Sequence, residues 1–228
     1  FFGLGAISPI INVYLQSELG FSGLQAGWIM ALMPTGLILG SFLNVLLTDR
    51  VLPAERLYVI LKTITAMAAV GLCFVQDFAA VAVVFGIYAF AMAPSGAVKE
   101  TICLRHVPIE LRDDYGTVRV FATFGWIGAA WIIPVVFGFI AQSHFPLTFF
   151  QCTFGLVAAA ALFNCAVIHK LPPRKIPFKR KTLRSEIIPK GTFGVFRNPA
   201  VLWLTLCTFC VCFLDRYFFF SMGPYLKS

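Results

Sequence analysis

Charge is what this 228-residue sequence has least of: Asp, Glu, Lys and Arg make up 12% of it, and only ten residues are acidic. A domain folded in water carries about twice that share. With 59% apolar residues and a mean hydropathy of +0.86, a water-soluble globule is excluded. The apolar–polar alternation of outer-membrane barrel strands is also missing, which leaves an all-α membrane protein. No nucleophile elbow, zincin pair or phosphate-binding loop occurs, so neither an enzyme nor a cofactor is expected. Cys207, Cys210 and Cys212 have metal-like spacing but lie in an apolar span without histidine or carboxylate support. Like Cys73, Cys103, Cys152 and Cys165, they read as small apolar residues. An initiator Met and a signal-peptide pattern are absent too. The expectation is a first helix clipped at its start and a chain that is the first half of something larger.

What is present is a series of apolar runs, at about 1–17, 22–47, 56–75, 79–98, 115–141, 147–169 and 199–220. Each approaches the roughly 20 residues that cross a bilayer as a helix. Lys and Arg gather in alternate connections, near 49–56, 99–119 and 170–197, whereas those near 18–23, 76–79 and 142–146 have none. The basic connections are therefore expected on the cytoplasmic side of the cell's inner (plasma) membrane. The formal net charge of +8 is then topology rather than a nucleic-acid footprint, since no nucleic-acid-binding signature accompanies it. Two triplets of helices over 1–170, a basic linker over 171–198 opened by Pro172-Pro173, and the first helix of a second bundle over 199–228 make the expected layout. His169 and Lys170 suit the C-terminus of the sixth helix, and Gly36-x-x-x-Gly40 is a helix-packing motif without functional content.

One charge stands out. Arg119 opens the fifth helix and shares a face with Thr123 and Trp126, at i, i+4 and i+7. An intramembrane cation is expensive and usually faces a partner, a cavity or a substrate path. Guanidinium is a fork of five donors suited to a carboxylate or paired hydroxyls, and indole offers a flat face to a ring. The structural alternative is that Arg119 snorkels to the surface while Trp126 packs.

These residues carry a family resemblance. The segment Arg119-Val120-Phe121-Ala122-Thr123-Phe124-Gly125-Trp126 resembles the Arg-Val-Phe-Gly-Thr-x-Gly-Phe segment of the nucleoside:proton symporters, within the major facilitator superfamily. Its terminal Trp126 is shared with the galactoside:proton symporters. Asp49-Arg50-Val51-Leu52-Pro53-Ala54-Glu55-Arg56 is similar to the signature between helices two and three of the superfamily, with Val45 where it has glycine; Ala122 replaces another family glycine. The resemblance implies a six-helix half of a major facilitator bundle, built of two inverted three-helix repeats, plus a seventh helix. It implies a proton-coupled carrier working by alternating access, with a nucleoside as preferred substrate and a sugar next. Arg119, Thr123 and Trp126 are then the substrate face. The family also uses polar residues of helices seven, eight and ten, of which eight and ten lie beyond this sequence.

Two carboxylates are candidates for coupling. Glu100, beside Lys99 at the edge of the fourth span, is either a partner for Arg119 in substrate binding and proton transfer or half of a surface pair with Lys99. Asp215 lies well inside the seventh helix, where low dielectric suits a proton-loading carboxylate, while its neighbour Arg216 reads as an interfacial anchor. By resemblance, Asp49, Arg50 and Arg56 gate the cytoplasmic side. The contrasting function class is a transport-inactive scaffold that keeps the half-fold and serves a membrane complex.

Overall fold

The computed structural model describes residues 2–8, 10–48, 52–106, 115–141, 148–171 and 198–225, which are helical throughout apart from short turns. The chain falls into two compact units, Phe1–Ile176 and Pro177–Ser228. The first contains α1 (Phe2–Ile7), α2 (Ile11–Val13) running into a π-helical turn at Tyr14–Glu18, α3 (Gly23–Thr48), α4 (Ala54–Gly71), α5 (Phe78–His106), α6 (Tyr115–Ala141) and α7 (Phe149–His169). The second contains α8 (Pro199–Tyr225).

The expected spans reappear with two changes. The first is interrupted: Ile10 N–H donates to Ile7 O at 3.1 Å, closing a turn between α1 and α2, where the sequence places Pro9, a residue with no N–H to continue a helix. The fourth extends past residue 98 to His106. Lys99, Glu100 and Arg105 are therefore helical rather than part of a connection. Hydropathy measures immersion, whereas the helix itself continues through good formers until Arg105 and His106 meet its negative end.

Helix starts away from the basic connections are capped by side chains. Ser22 and Gln25 bond each other's backbone N–H groups ahead of α3, and Thr148 and Gln151 do the same for α7. Asp77 accepts from Ala79 and Ala80 at the start of α5. Each cap satisfies donors that lipid could not.

Packing follows a pseudo-twofold pattern. α5 packs on α3 and α4, α1 packs on α6 and α7, and α4 packs on α7. Exchanging the first three spans for the second three turns the α3·α5 pair into α6·α1 and the α4·α5 pair into α7·α1, and it maps α4·α7 onto itself. The two triplets are thus structural repeats of one another, the arrangement expected of inverted repeats. Glycine allows the α3·α5 crossing. A Cβ on Gly36 would lie 2.9 Å from Ala89 O, and one on Gly40 would lie 2.9 Å from the Pro94 ring.

Side chains tie the end opposite the basic connections. The Tyr14 ring lies 5.0 Å from that of Phe150 and 5.2 Å from that of Phe154, and its hydroxyl donates to Leu72 O at 3.2 Å. Gln151 Nε2 donates to Cys73 O at 3.2 Å. At the basic end, Ala54, Leu57 and Tyr58 of α4 close on Val98 and Ile102 of α5. Among the described residues, Gly23–Gly40, Phe78–His106 and Phe149–His169 are long and apolar enough to cross a membrane, and the chain is an integral membrane protein.

Candidate substrate and coupling site

The α6 helix has three distinct sides. Ala129 and Ile133 are buried in line with the half-buried Ala122, and this stripe meets α1. Val120, Phe124, Ile127 and Trp131 form an exposed apolar back, suited to lipid tails. Arg119, Thr123 and Trp126 run along the flank between the two, as their i, i+4, i+7 spacing predicts. Arg119 and Thr123 are exposed, while Trp126 is half-buried.

Trp126 is held by α1. A Cβ on Gly5 would lie 2.5 Å from Trp126 O and 3.0 Å from its Cδ1, so the missing side chain of Gly5 is what lets the indole and its backbone sit against the first span. The tryptophan thus packs against α1 and is half-buried there. Both of its expected roles, packing and presentation, are compatible with this placement.

The polar side chains at the basic end of α5 lie close to α6. Arg119 and Glu100 are both within electrostatic reach of Lys99. Glu100 and Lys99 are half-buried, about a turn and a half inside the end of α5 at His106. The structure thus groups a carboxylate and two cations at this end of α5.

The expected gate is only partly visible. Arg56 is exposed in the first turn of α4, while Asp49 and Arg50 lie outside the described residues. Asp215 falls on the helical backbone of α8, and its side chain is likewise outside them.

Two charged groups escaped the sequence reading. Glu55 is only 7% exposed, and neither carboxylate oxygen has a hydrogen-bond partner among the described residues. Its place in the first turn of α4 puts it at the positive end of that helix, which offsets part of the burial. Lys62 is 8% exposed, midway along α4. Its Nζ lies 3.1 Å from Met92 Sδ of α5 and 5.6 Å from the centre of the Tyr58 ring. The Tyr58 hydroxyl reaches Asn164 Oδ1 of α7 at 3.4 Å. The signal for Lys62 was available: it is a cation inside a span, the criterion that singled out Arg119.

The Nucleoside H+ symporter family matches residues 1–228. The chain is 26% identical over 162 residues to the maltose permease of Geobacillus stearothermophilus, covering 71% of this chain and 40% of that one. It is 24% identical over 205 residues to the xanthosine permease of Escherichia coli strain K12, covering 87% and 46%. Among solved structures, the nucleoside transporter NupG superposes with a TM-score of 0.73 at 20% identity, over 90% of this chain and 50% of that chain. The chain spans half or less of the length of each of these proteins.

Proposed function

The chain belongs to the nucleoside:H+ symporter family, and from that membership we propose that it forms the N-terminal half of a secondary active transporter, which carries a nucleoside and a proton together across the plasma membrane by alternating access. The observation that carries the reading is the polar flank of α6. A permanent charge, a hydroxyl and an indole stand between a helix-packing stripe and an apolar back, in a span where an unneeded cation would be costly.

The chemistry suits a nucleoside. Arg119 can grip the two ribose hydroxyls with its fork, Thr123 can donate or accept one turn further in, and Trp126 offers a face for the base. Glu100, which like Arg119 acts on Lys99, is the candidate to exchange hydrogen bonds with the same sugar or to carry the proton, and Asp215 is the second coupling candidate. Asp49, Arg50 and Arg56 clamp the cytoplasmic side when the carrier is open outward, with the basic connections inside the cell. The two inverted repeats form one rocking half, and the second half begins at α8.

A sugar is the second reading. It is favoured by the similarity to a maltose permease and by Trp126, whose face also suits the apolar side of a pyranose. Binding of nucleosides and galactosides to the purified full-length protein separates the two. Arg119→Lys is expected to weaken nucleoside binding strongly, because the charge stays but the fork is lost. Trp126→Phe is expected to be milder than Trp126→Ala. A scaffold would show no such order; binding by neither class to the parent, or equal binding by all variants, would overturn the assignment.

A further inference from the structure

Lys62 has no role in the substrate face described above, yet it is the most deeply buried cation among the described residues. It is the ninth of the 18 residues of α4, about 12 Å of helix from the basic end. That is farther than its own side chain extends, so snorkelling is excluded. The side chain turns instead into the seam between α4 and α5, where Nζ meets Met92 Sδ at 3.1 Å.

The surroundings of this amine are poor for an ion. A protonated lysine has three donors, and it faces one weak sulfur acceptor and one aromatic ring. On α4 itself, Tyr58 lies beneath it and Glu55 is two turns away. From α5 the charged neighbour is Lys99, and from α7 the titratable neighbour is the Cys165 thiol; Asn164 is engaged by Tyr58. Over its described side chains, 23–40, α3 contributes no titratable group. No carboxylate partners Lys62 among the described residues, whereas structural lysines buried this deeply are ordinarily paired.

Met92 supplies the remaining feature. Its Sδ touches Lys62, and its Cε is the atom nearest Gly3 of α1 after Val157, 3.9 Å from where a Cβ would stand. One flexible thioether therefore separates the buried amine from α1. It sits two residues before Pro94, which interrupts the hydrogen-bonding of α5.

Accepting the carrier reading above, on which this rests, we propose that Lys62 is a proton-exchanging residue of the transporter and that Met92 is its gate. When the thioether swings aside, the amine nitrogen takes a proton from water entering along α1. The resulting ammonium cannot be re-enclosed by sulfur and ring alone, so the α4–α5 seam stays open until the proton returns to water on the other side of the membrane. Proton occupancy is thereby linked to the shape of α5 at Pro94.

The test uses the full-length protein in lipid vesicles, comparing the parent with Lys62→Met and Lys62→Gln. Neither substitute titrates, and replacing a buried charge by Met of similar size is commonly neutral or stabilising. Both variants are expected to keep nucleoside-for-nucleoside exchange, to lose the pH dependence of that exchange, and to accumulate nucleoside roughly tenfold less against a gradient. Parental accumulation with a parental pH profile overturns the proposal. So does loss of exchange together with a lower melting temperature, which would make Lys62 a structural pin. A second readout does not depend on transport: acetylation of Lys62 in the folded protein, followed by mass spectrometry, is expected to rise in Met92→Ala. If the parent carries no nucleoside, the functional reading fails; an unlabelled Lys62 in Met92→Ala overturns the gate.

Discussion

Replacing Gly5 by alanine should weaken substrate binding without touching a single substrate contact. The added Cβ would lie 2.5 Å from the carbonyl oxygen of Trp126 and 3.0 Å from its Cα. Both atoms near it belong to the backbone of α6, so neither can rotate away. Ordinary contact begins at 3.4 Å, and α1 and α6 must therefore separate by about 0.9 Å at this crossing. Overpacking of this kind costs about 1–3 kcal/mol. The separation also carries the indole off its position on the flank, and a ring contact is worth about 0.5–1.5 kcal/mol beyond burial. The dissociation constant for nucleoside should then rise about two- to tenfold. Gly128→Ala is the control, since it lies on the same helix with nothing within 4 Å of the new Cβ. It should leave binding unchanged and stabilise the protein by up to about 1 kcal/mol. Nucleoside binding and thermal melting of the purified full-length protein read both effects. If Gly5→Ala binds like the parent, or if the two variants behave alike, the account of how Trp126 is held is wrong.

Asp49→Asn should shift the carrier toward its inward-open state, seen as greater labelling of engineered cysteines on the cytoplasmic side and less on the other. Unchanged labelling on both faces would remove the clamp from the mechanism. Glu100→Gln or Asp215→Asn, whichever carries the coupled proton, should abolish uphill uptake and spare exchange; concentrative uptake retained in both would move coupling elsewhere. Thr148→Ala removes the cap of α7 and should cost about 1 kcal/mol, measurable as a lower melting temperature with substrate affinity intact.

The spans were legible because immersion in lipid writes itself into every residue of a helix. Gly23–Thr48, Phe149–His169 and Pro199–Tyr225 lie within a few residues of the apolar runs. The ends were harder where a helix outlives its apolar part, as α5 does through Lys99, Glu100 and Arg105. The break between α1 and α2 was hidden for the opposite reason: an apolar run reports hydropathy, and the hydropathy continues through it. Arg119 was visible because it opens a helix beside other polar residues. Lys62 was equally visible as a cation inside a span, but Val59, Ile60, Leu61 and Ile64 around it give it no polar company to draw the eye. What makes it notable is the partner it lacks, and pairing depends on which helices meet. The placement of Trp126 against Gly5 was equally out of reach, because the two are joined only by the crossing of the first and fifth spans.

The packing pattern bears on how the chain assembles. Every strong helix pair, α3·α5, α4·α5, α4·α7, α1·α6 and α1·α7, joins one repeat to the other, whereas α3·α4 and α6·α7 touch only slightly. A growing chain that has delivered only its first three spans therefore has almost nothing for them to hold. They must wait as separate inserted helices until α5 arrives between α3 and α4. The six-helix half is in this sense a single cooperative unit, two interlocked threes of which neither is a smaller domain.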